Sequence, residues 1–127
     1  MTSKLQIPDP LSIELIEGKG NKSGHNFYWH IYANTVVAGK VYIDFIEDEI
    51  LNRHASIHIF LNKKSQGKGI GRVAYAQACL KSGLNEIYAH MRKSNMASKK
   101  AAQAAGFVEV KDPRLSQLLL VWKKPAV

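Results

Sequence analysis

An α/β fold built on a mixed sheet is predicted by three observations. Apolar residues alternate with polar ones in successive short runs through the first half of the chain, the period changes to helical spacing at Gly69, and two helix-length segments then alternate with strand-like ones. The expected order is β-β-β-β-α-β-α-β-β. Early strands joined by short connections pair antiparallel, whereas a helical crossover after the fourth strand calls for a parallel pair in the middle of the sheet.

The elements follow in order. Residues 11–17 alternate weakly and form a first strand, and a polar, glycine-rich loop runs from there to residue 26. In residues 27–34, Phe27, Trp29 and Ile31 alternate with Tyr28, His30 and Tyr32, a strand that uses both faces. After a turn-like stretch, residues 40–47 set Val41, Ile43 and Phe45 against Tyr42 and Asp44, and the two runs read as an antiparallel hairpin. Residues 55–62 are a fourth strand that points Ile57, Ile59 and Leu61 one way and Ser56, His58 and Phe60 the other. From Gly69 onward Ile70, Val73, Ala76 and Leu80 recur at helical spacing, with Gln77 intruding, and Gly83 stands where a helix C-terminal glycine is expected. Residues 85–92 form a fifth strand. An alanine-rich helix opened by Ser94 or Asn95 and closed by Gly106 comes next, and residues 107–110 and 117–124 finish as strands.

A length of 127 residues supports one hydrophobic core, so residues 1–127 are read as a single domain. Eighteen basic against ten acidic residues give a formal charge of +8, which favours an anionic ligand, nucleic acid or a membrane surface without choosing among them. The first ten residues lack the apolar core of a signal peptide, and no apolar run approaches the ~18 residues of a spanning helix. A soluble, cytoplasmic protein is the expectation. Cys79 has no partner for an internal disulfide, and nothing around it resembles the signature of a catalytic cysteine, so it reads as a packed small side chain.

The segment from Ser65 to Arg72, with Gly67, Gly69 and Gly71 at alternate positions between a strand and a helix, is the first candidate site. Such a loop aims backbone N–H groups at one point, and the helix N-terminus adds a partial positive charge there, so phosphate is the natural guest. Lys63, Lys64, Lys68 and Arg72 would strengthen diphosphate binding, and the competing reading is a flexible turn with solvated lysines. The loop is not a P-loop, because the Gly-Lys-Ser/Thr ending is missing. It is also a poor dinucleotide fingerprint, because antiparallel strands precede it instead of an opening βαβ unit.

Gln66-x-x-Gly69-x-Gly71, preceded by a strand and followed by a helix, resembles the Gln/Arg-x-x-Gly-x-Gly/Ala signature of the GNAT superfamily of N-acetyltransferases. A second family pattern lies beyond the next strand, in Asn95, Ser98, Gly106 and Phe107. The motif match runs from Ser56 to Phe107, and from Phe27 to Ala55 the likeness is one of topology. The resemblance implies a GNAT-like mixed sheet with two main helices, whose central parallel pair splays to hold an acyl-coenzyme A. It implies acetyl-CoA as cosubstrate, no metal, and transfer of an acetyl group to a primary amine. Gly67, Lys68, Gly69, Ile70 and Gly71 would present backbone N–H groups to the diphosphate. Gln66, Arg72 and Leu61 would flank it, and Asn95 and Ser98 would lie beside the pantetheine arm. On local grounds alone Asn95 is equally an ordinary helix cap.

The resemblance also has departures. Where family members often carry a glutamate base on the strand before the loop, this chain has Ser56, which cannot ionise usefully. His58 is the candidate base, against a half-buried structural histidine, with His54 and Glu47 as weaker alternatives that fall near the strand ends. Where members often place a tyrosine as the acid for the leaving thiolate, the chain has Ala102. Ser98 is the candidate substitute, against a helix serine bonded to nearby backbone. Family members usually have helices between the first two strands, and the loop here is too short for them. The acceptor cleft should therefore be open, or closed by a second subunit in a homodimer, which favours an amine on a peptide or protein. The run Glu47-Asp48-Glu49 would attract a cationic acceptor, although an acidic turn is more often merely solvated, and Tyr28, Trp29, Tyr32 and Tyr42 read as sheet packing ahead of a substrate platform. Two other readings stand beside this one. The first is a CoA-binding module with reduced catalysis, motivated by Ser56 and Ala102. The second is a basic nucleic-acid-binding domain, disfavoured because the lysines gather at one glycine loop without aromatics interleaved.

Overall fold

A computed structural model of the chain describes residues 12–18 and 24–126. The strands are β1 (Ile13–Glu17), β2 (Phe27–Ala33), β3 (Val36–Asp48), β4 (Asn52–Leu61), β5 (Glu86–Met91), β6 (Val108–Glu109) and β7 (Leu118–Lys123). The helices are α1 (Ile70–Ser82), between β4 and β5, and α2 (Met96–Ala104), between β5 and β6. The expected order of elements is the observed one. Seven strands form one sheet in the order β1-β2-β3-β4-β5-β7-β6, in which β4 and β5 are the parallel neighbours and every other pair is antiparallel. Part of the first expected strand and the middle of the loop after it, residues 11 and 19–23, lie outside the described residues, as do the first ten.

The hairpin between β2 and β3 is tighter than its sequence implied. Asn34 and Thr35 alone make the turn, both at positive φ (51° and 68°), the backbone of a two-residue hairpin whose twist matches the flanking strands. Val36 to Gly39 therefore belong to β3 and not to a turn. Gly39 faces Ile31 where the β2–β3 register shifts, and a Cβ on it would stand 2.0 Å from the Phe60 carbonyl oxygen. The absence of a side chain is what lets β3 and β4 approach there.

Odd-numbered residues of the central strands face the helices. Trp29, Ile31, Val41, Ile43, Ile57 and Ile87 are buried there with Ile70, Ala74, Tyr75, Ala78 and Cys79 of α1. The buried stripe of α1 is thus not the expected one: Leu80 is 64% exposed, and small side chains carry the packing. Burial pushes the Cys79 thiol up to about 12, so it stays protonated and inert. Gly71 has a packing role of its own, since a Cβ on it would lie 3.3 Å from the Ala101 Cβ of α2. The opposite face bears Tyr28, Tyr42, Ser56, His58 and Phe60, and no helix among the described residues covers it.

Gly39→Ala should cost roughly 1–3 kcal/mol, the usual penalty for forcing an extra group into packed structure. Urea denaturation would check it. An unchanged midpoint would mean that the β3–β4 pairing gives way freely at Phe60.

Candidate functional site

The glycine loop and the two helices enclose a cavity of about 470 Å³ against the end of β4. Ile59 and Leu61 form its floor on the strand side, and Gln66, Gly67, Gly69 and Arg72 form one wall. Asn95, Ser98, Lys100 and Ala101 of α2 form the other. Leu61, Gln66, Arg72, Asn95 and Ser98 line this cavity with the loop glycines as expected, but Lys63, Lys64 and Lys68 do not; Lys64 and Lys68 border a separate hollow beside the β2–β3 turn.

Local bonding explains the shape. The Gln66 side-chain amide donates to the Leu61 carbonyl (3.2 Å) and ties the loop to the end of β4. Gly67 and Gly69 sit at φ 74° and 78°, the left-handed region that glycine enters without strain. Gly69 is also the N-cap of α1 and brings no side-chain acceptor, and no acidic residue stands in the first turn. The leading N–H groups of α1 are therefore left for a ligand or water, with Arg72 beside them. By contrast α2 is capped from within, because the Asn95 side chain accepts from the Ser98 N–H at 3.2 Å.

Ser98 does not stand alone. Its hydroxyl lies 2.7 Å from that of Tyr75, and Tyr75 packs edge-on against Phe107 at 5.4 Å. Burial holds the Tyr75 phenol above its ordinary pKa despite its hydrogen bond with Ser98. Position 102 is fully buried in the core, so no side chain there reaches the cavity. Tyr75 was missed in the sequence because the expected stripe, Ile70, Val73, Ala76 and Leu80, leaves it off the buried face. It serves as core and cavity wall at once, four residues after Gly71 on the same helix face.

His58 is on the other side of the sheet. Its Nε2 lies 3.3 Å from the hydroxyl of the fully buried Ser56, and its ring stacks on Tyr42 at 5.0 Å. Desolvation lowers its pKa below the ordinary 6.5, Asp44 opposes the shift and His25 adds to it. His54 lies within β4 and Glu47 within β3, so neither is beyond a strand end. His54 is buried and Glu47 exposed.

The two faces communicate through a gap. Parallel pairing between β4 and β5 is confined to Ser56↔Tyr88, although β4 runs on to Leu61 and β5 to Met91. Beyond Ser56 the backbone groups of β4 that face β5 have no ladder partner, and an extended ligand can supply one. His58 sits two residues past the last pair, at the mouth of this gap.

No helix among the described residues is long and apolar enough to cross a membrane. No curated protein matches the chain. Among solved structures it is similar to one whose own assignment as a phosphinothricin N-acetyltransferase is provisional (15% identity, TM-score 0.68), over 91% of this chain and 100% of that one. It is also similar to Mycobacterium smegmatis RimJ in complex with CoA-disulfide (23%, TM-score 0.63), over 80% of this chain and 55% of RimJ. A third is the microcin C7 self-immunity acetyltransferase MccE with acetyl-CoA and AMP (21%, TM-score 0.63), over 82% of this chain and 64% of MccE. The chain thus spans less than two thirds of the length of the latter two, and at these identities the likeness establishes the fold. A family model described as acetyltransferase (GNAT) family matches residues 5–107, which hold β1 to α2 with the glycine loop and the β4–β5 gap, and the chain belongs to that family.

Proposed function

We propose that the chain transfers the acetyl group of acetyl-CoA to a primary amine carried by a peptide or protein. The observation that carries the reading is the alignment of cavity, gap and histidine: a diphosphate-sized cavity at an uncapped helix N-terminus, a break in strand pairing beside it, and His58 at the far side of the break. The acetyl-CoA and CoA-disulfide bound by MccE and RimJ support the same cosubstrate.

In this reading Gly67 to Gly71 hold the diphosphate through backbone N–H groups, with Arg72 and Lys100 countering its charge. The unpaired edge of β4 takes the pantetheine arm. His58, neutral because burial disfavours its charged form, accepts the proton that the ammonium must lose. The amine nitrogen forms a bond to the carbonyl carbon, the C–S bond breaks, and the thiolate takes a proton from the Ser98–Tyr75 hydroxyl pair. The raised Tyr75 pKa keeps that pair protonated through neutral pH, as a donor must be.

The acceptor reaches His58 over the sheet face without helices. That face presents Tyr28, Tyr42 and Phe60, with Phe60 52% exposed, and residues 24–26 fold toward it: His25 stacks on Tyr42 at 3.7 Å and pairs with Asp44 at 2.8 Å. The rings stack on one another as sheet packing would have them, yet leave a broad aromatic surface for an extended partner.

Three results are expected. Gly69→Asp should remove CoA binding in calorimetry while the domain stays folded, and Gly69→Asn, which tolerates positive φ and adds no charge, should keep more of it. Equal affinities for wild type and a folded Gly69→Asp protein would refute the loop assignment. His58→Ala should lower kcat by roughly 10²- to 10⁴-fold with little change in CoA affinity. The wild-type rate should climb with pH along a limb centred below 6.5, because His58 works only when neutral and its pKa is lowered. Around the ring stand Tyr42 and Asp44 of β3, His25, Ser56 of β4 and His90 of β5, and the limb should be absent from His58→Ala. Finally, peptide or protein amines should show higher kcat/KM than free polyamines, amino acids or aminosugars in competition assays. CoA binding without acetylation of any amine would favour the module with reduced catalysis.

A further inference from the structure

On the open face, at the end of the β3–β4 hairpin, Asp48, His54 and His90 converge with no part in the acyl-transfer reading. We propose that these three residues form a binding site for a divalent first-row transition-metal ion of the zinc class, which staples the β3–β4 hairpin to β5.

The donor atoms are already gathered. One nitrogen or carboxylate oxygen from each residue lies within 4.8 Å of the others, His54 Nε2 is 2.9 Å from His90 Nε2, and His54 Nε2 is 4.0 Å from Asp48 Oδ2. Zinc–ligand bonds of about 2.0–2.2 Å in a tetrahedron set neighbouring donors about 3.3 Å apart. The two histidine separations bracket that value, and with all three donors within 4.8 Å no contact has to close by more than about 1.5 Å, within reach of side-chain adjustment.

Two of the three ligands are held from behind. His54 Nδ1–H donates to the Asn52 carbonyl at 2.8 Å, which fixes the tautomer and leaves the Nε2 lone pair pointing at the centre. Asp48 Oδ1 accepts from the N–H groups of Ile50 (2.9 Å) and Leu51 (2.6 Å), which leaves Oδ2 for the ion. Without metal the His90 Nε2–H donates to His54 Nε2. With metal that proton moves to the other ring nitrogen of His90, and both lone pairs face the ion.

A fourth position is open to a cavity of about 330 Å³ that Asp48 and His90 line together with Glu49 and Arg114. Glu49 or water fills it. Arg114 does not compete, because its guanidinium is held by Asp112 at 2.7 Å. The site also has a structural consequence. Only Ser56↔Tyr88 joins β4 to β5 by backbone, so an ion bound by Asp48 and His54 on one side and His90 on the other reinforces the weakest joint of the sheet.

The test is titration of the chelator-treated full chain with Co²⁺ alone and with Zn²⁺ alone. One equivalent of Co²⁺ should bind with visible d–d bands of a four- or five-coordinate ion, and Zn²⁺ should displace it. Zn²⁺ at about 100-fold over Kd should raise Tm by at least about 5 °C. Asp48→Asn, which keeps the oxygen that caps the turn, and His90→Gln should each weaken binding at least about 10-fold. Because a variant can fail to fold, the wild-type histidine ring resonances give a second readout: Zn²⁺ should move those of His54 and His90 and spare those of His25, His30 and His58. Three results would overturn the proposal: no uptake tighter than about 100 µM, equal affinity in both folded variants, or shifts confined to the other histidines.

Discussion

A strand inside a sheet ordinarily satisfies its backbone on both sides, and β4 does so on only one. Against β3 it is paired from Asn52 to Leu61, whereas against β5 it keeps the single pair Ser56↔Tyr88. Unpaired backbone groups are costly wherever water cannot reach them, so this gap must be wetted or filled by a ligand. It persists because each half is anchored elsewhere. β4 belongs to the four-stranded antiparallel half, and β5 is paired along its whole length, Glu86 to Met91, with β7. The helices keep their places by small residues: Gly71 of α1 lies against Ala101 of α2, and a bulkier pair would push the cavity walls apart. The free edge of β4, with the cavity on one side of it and His58 on the other, follows from that one incomplete pairing.

Most of the element order was legible because the two hydrophobic periods are so different in this chain. Trp29, Ile31, Val41, Ile43 and Ile57 are large apolar residues at alternate positions, and the structure buries all of them. Legibility failed where burial depends on small side chains. Ala74, Ala78 and Cys79 carry the buried face of α1, while the larger Leu80 is exposed, so weighting by side-chain size rotated the stripe. The β2–β3 turn was misjudged because Gly39 looks like turn chemistry, although it serves strand approach, and because Asn34 and Thr35 make the turn unaided. The glycine loop, Asn95 and Ser98 were readable from motif spacing. Tyr75 was not, since the rotated stripe put it off the buried face. Asp48, His54 and His90 were invisible for a different reason: His54 and His90 are 36 residues apart, and only the sheet brings them together.

The split of the site between two faces has an electrostatic logic. A diphosphate is best held by cations and free N–H groups close to water, and the cavity supplies Arg72, Lys100 and the uncapped N-terminus of α1. An incoming amine is itself a cation and would be repelled by that surface. On the opposite face the Asp44 carboxylate acts on His58 against its desolvation, and Glu49 stands exposed at the hairpin end. A sheet is thick enough to keep such environments apart, since layers packed on it sit about 10 Å away. The reactants of opposite charge can then approach from opposite sides and meet only where the strands part. In the proposed reading, placing His58 next to the cavity would bring its lone pair closer to the thioester, but it would also set the acceptor amine beside Arg72 and Lys100. The break between β4 and β5 would avoid that conflict, because on the proposed reading only the neutral arm of the cosubstrate passes through it.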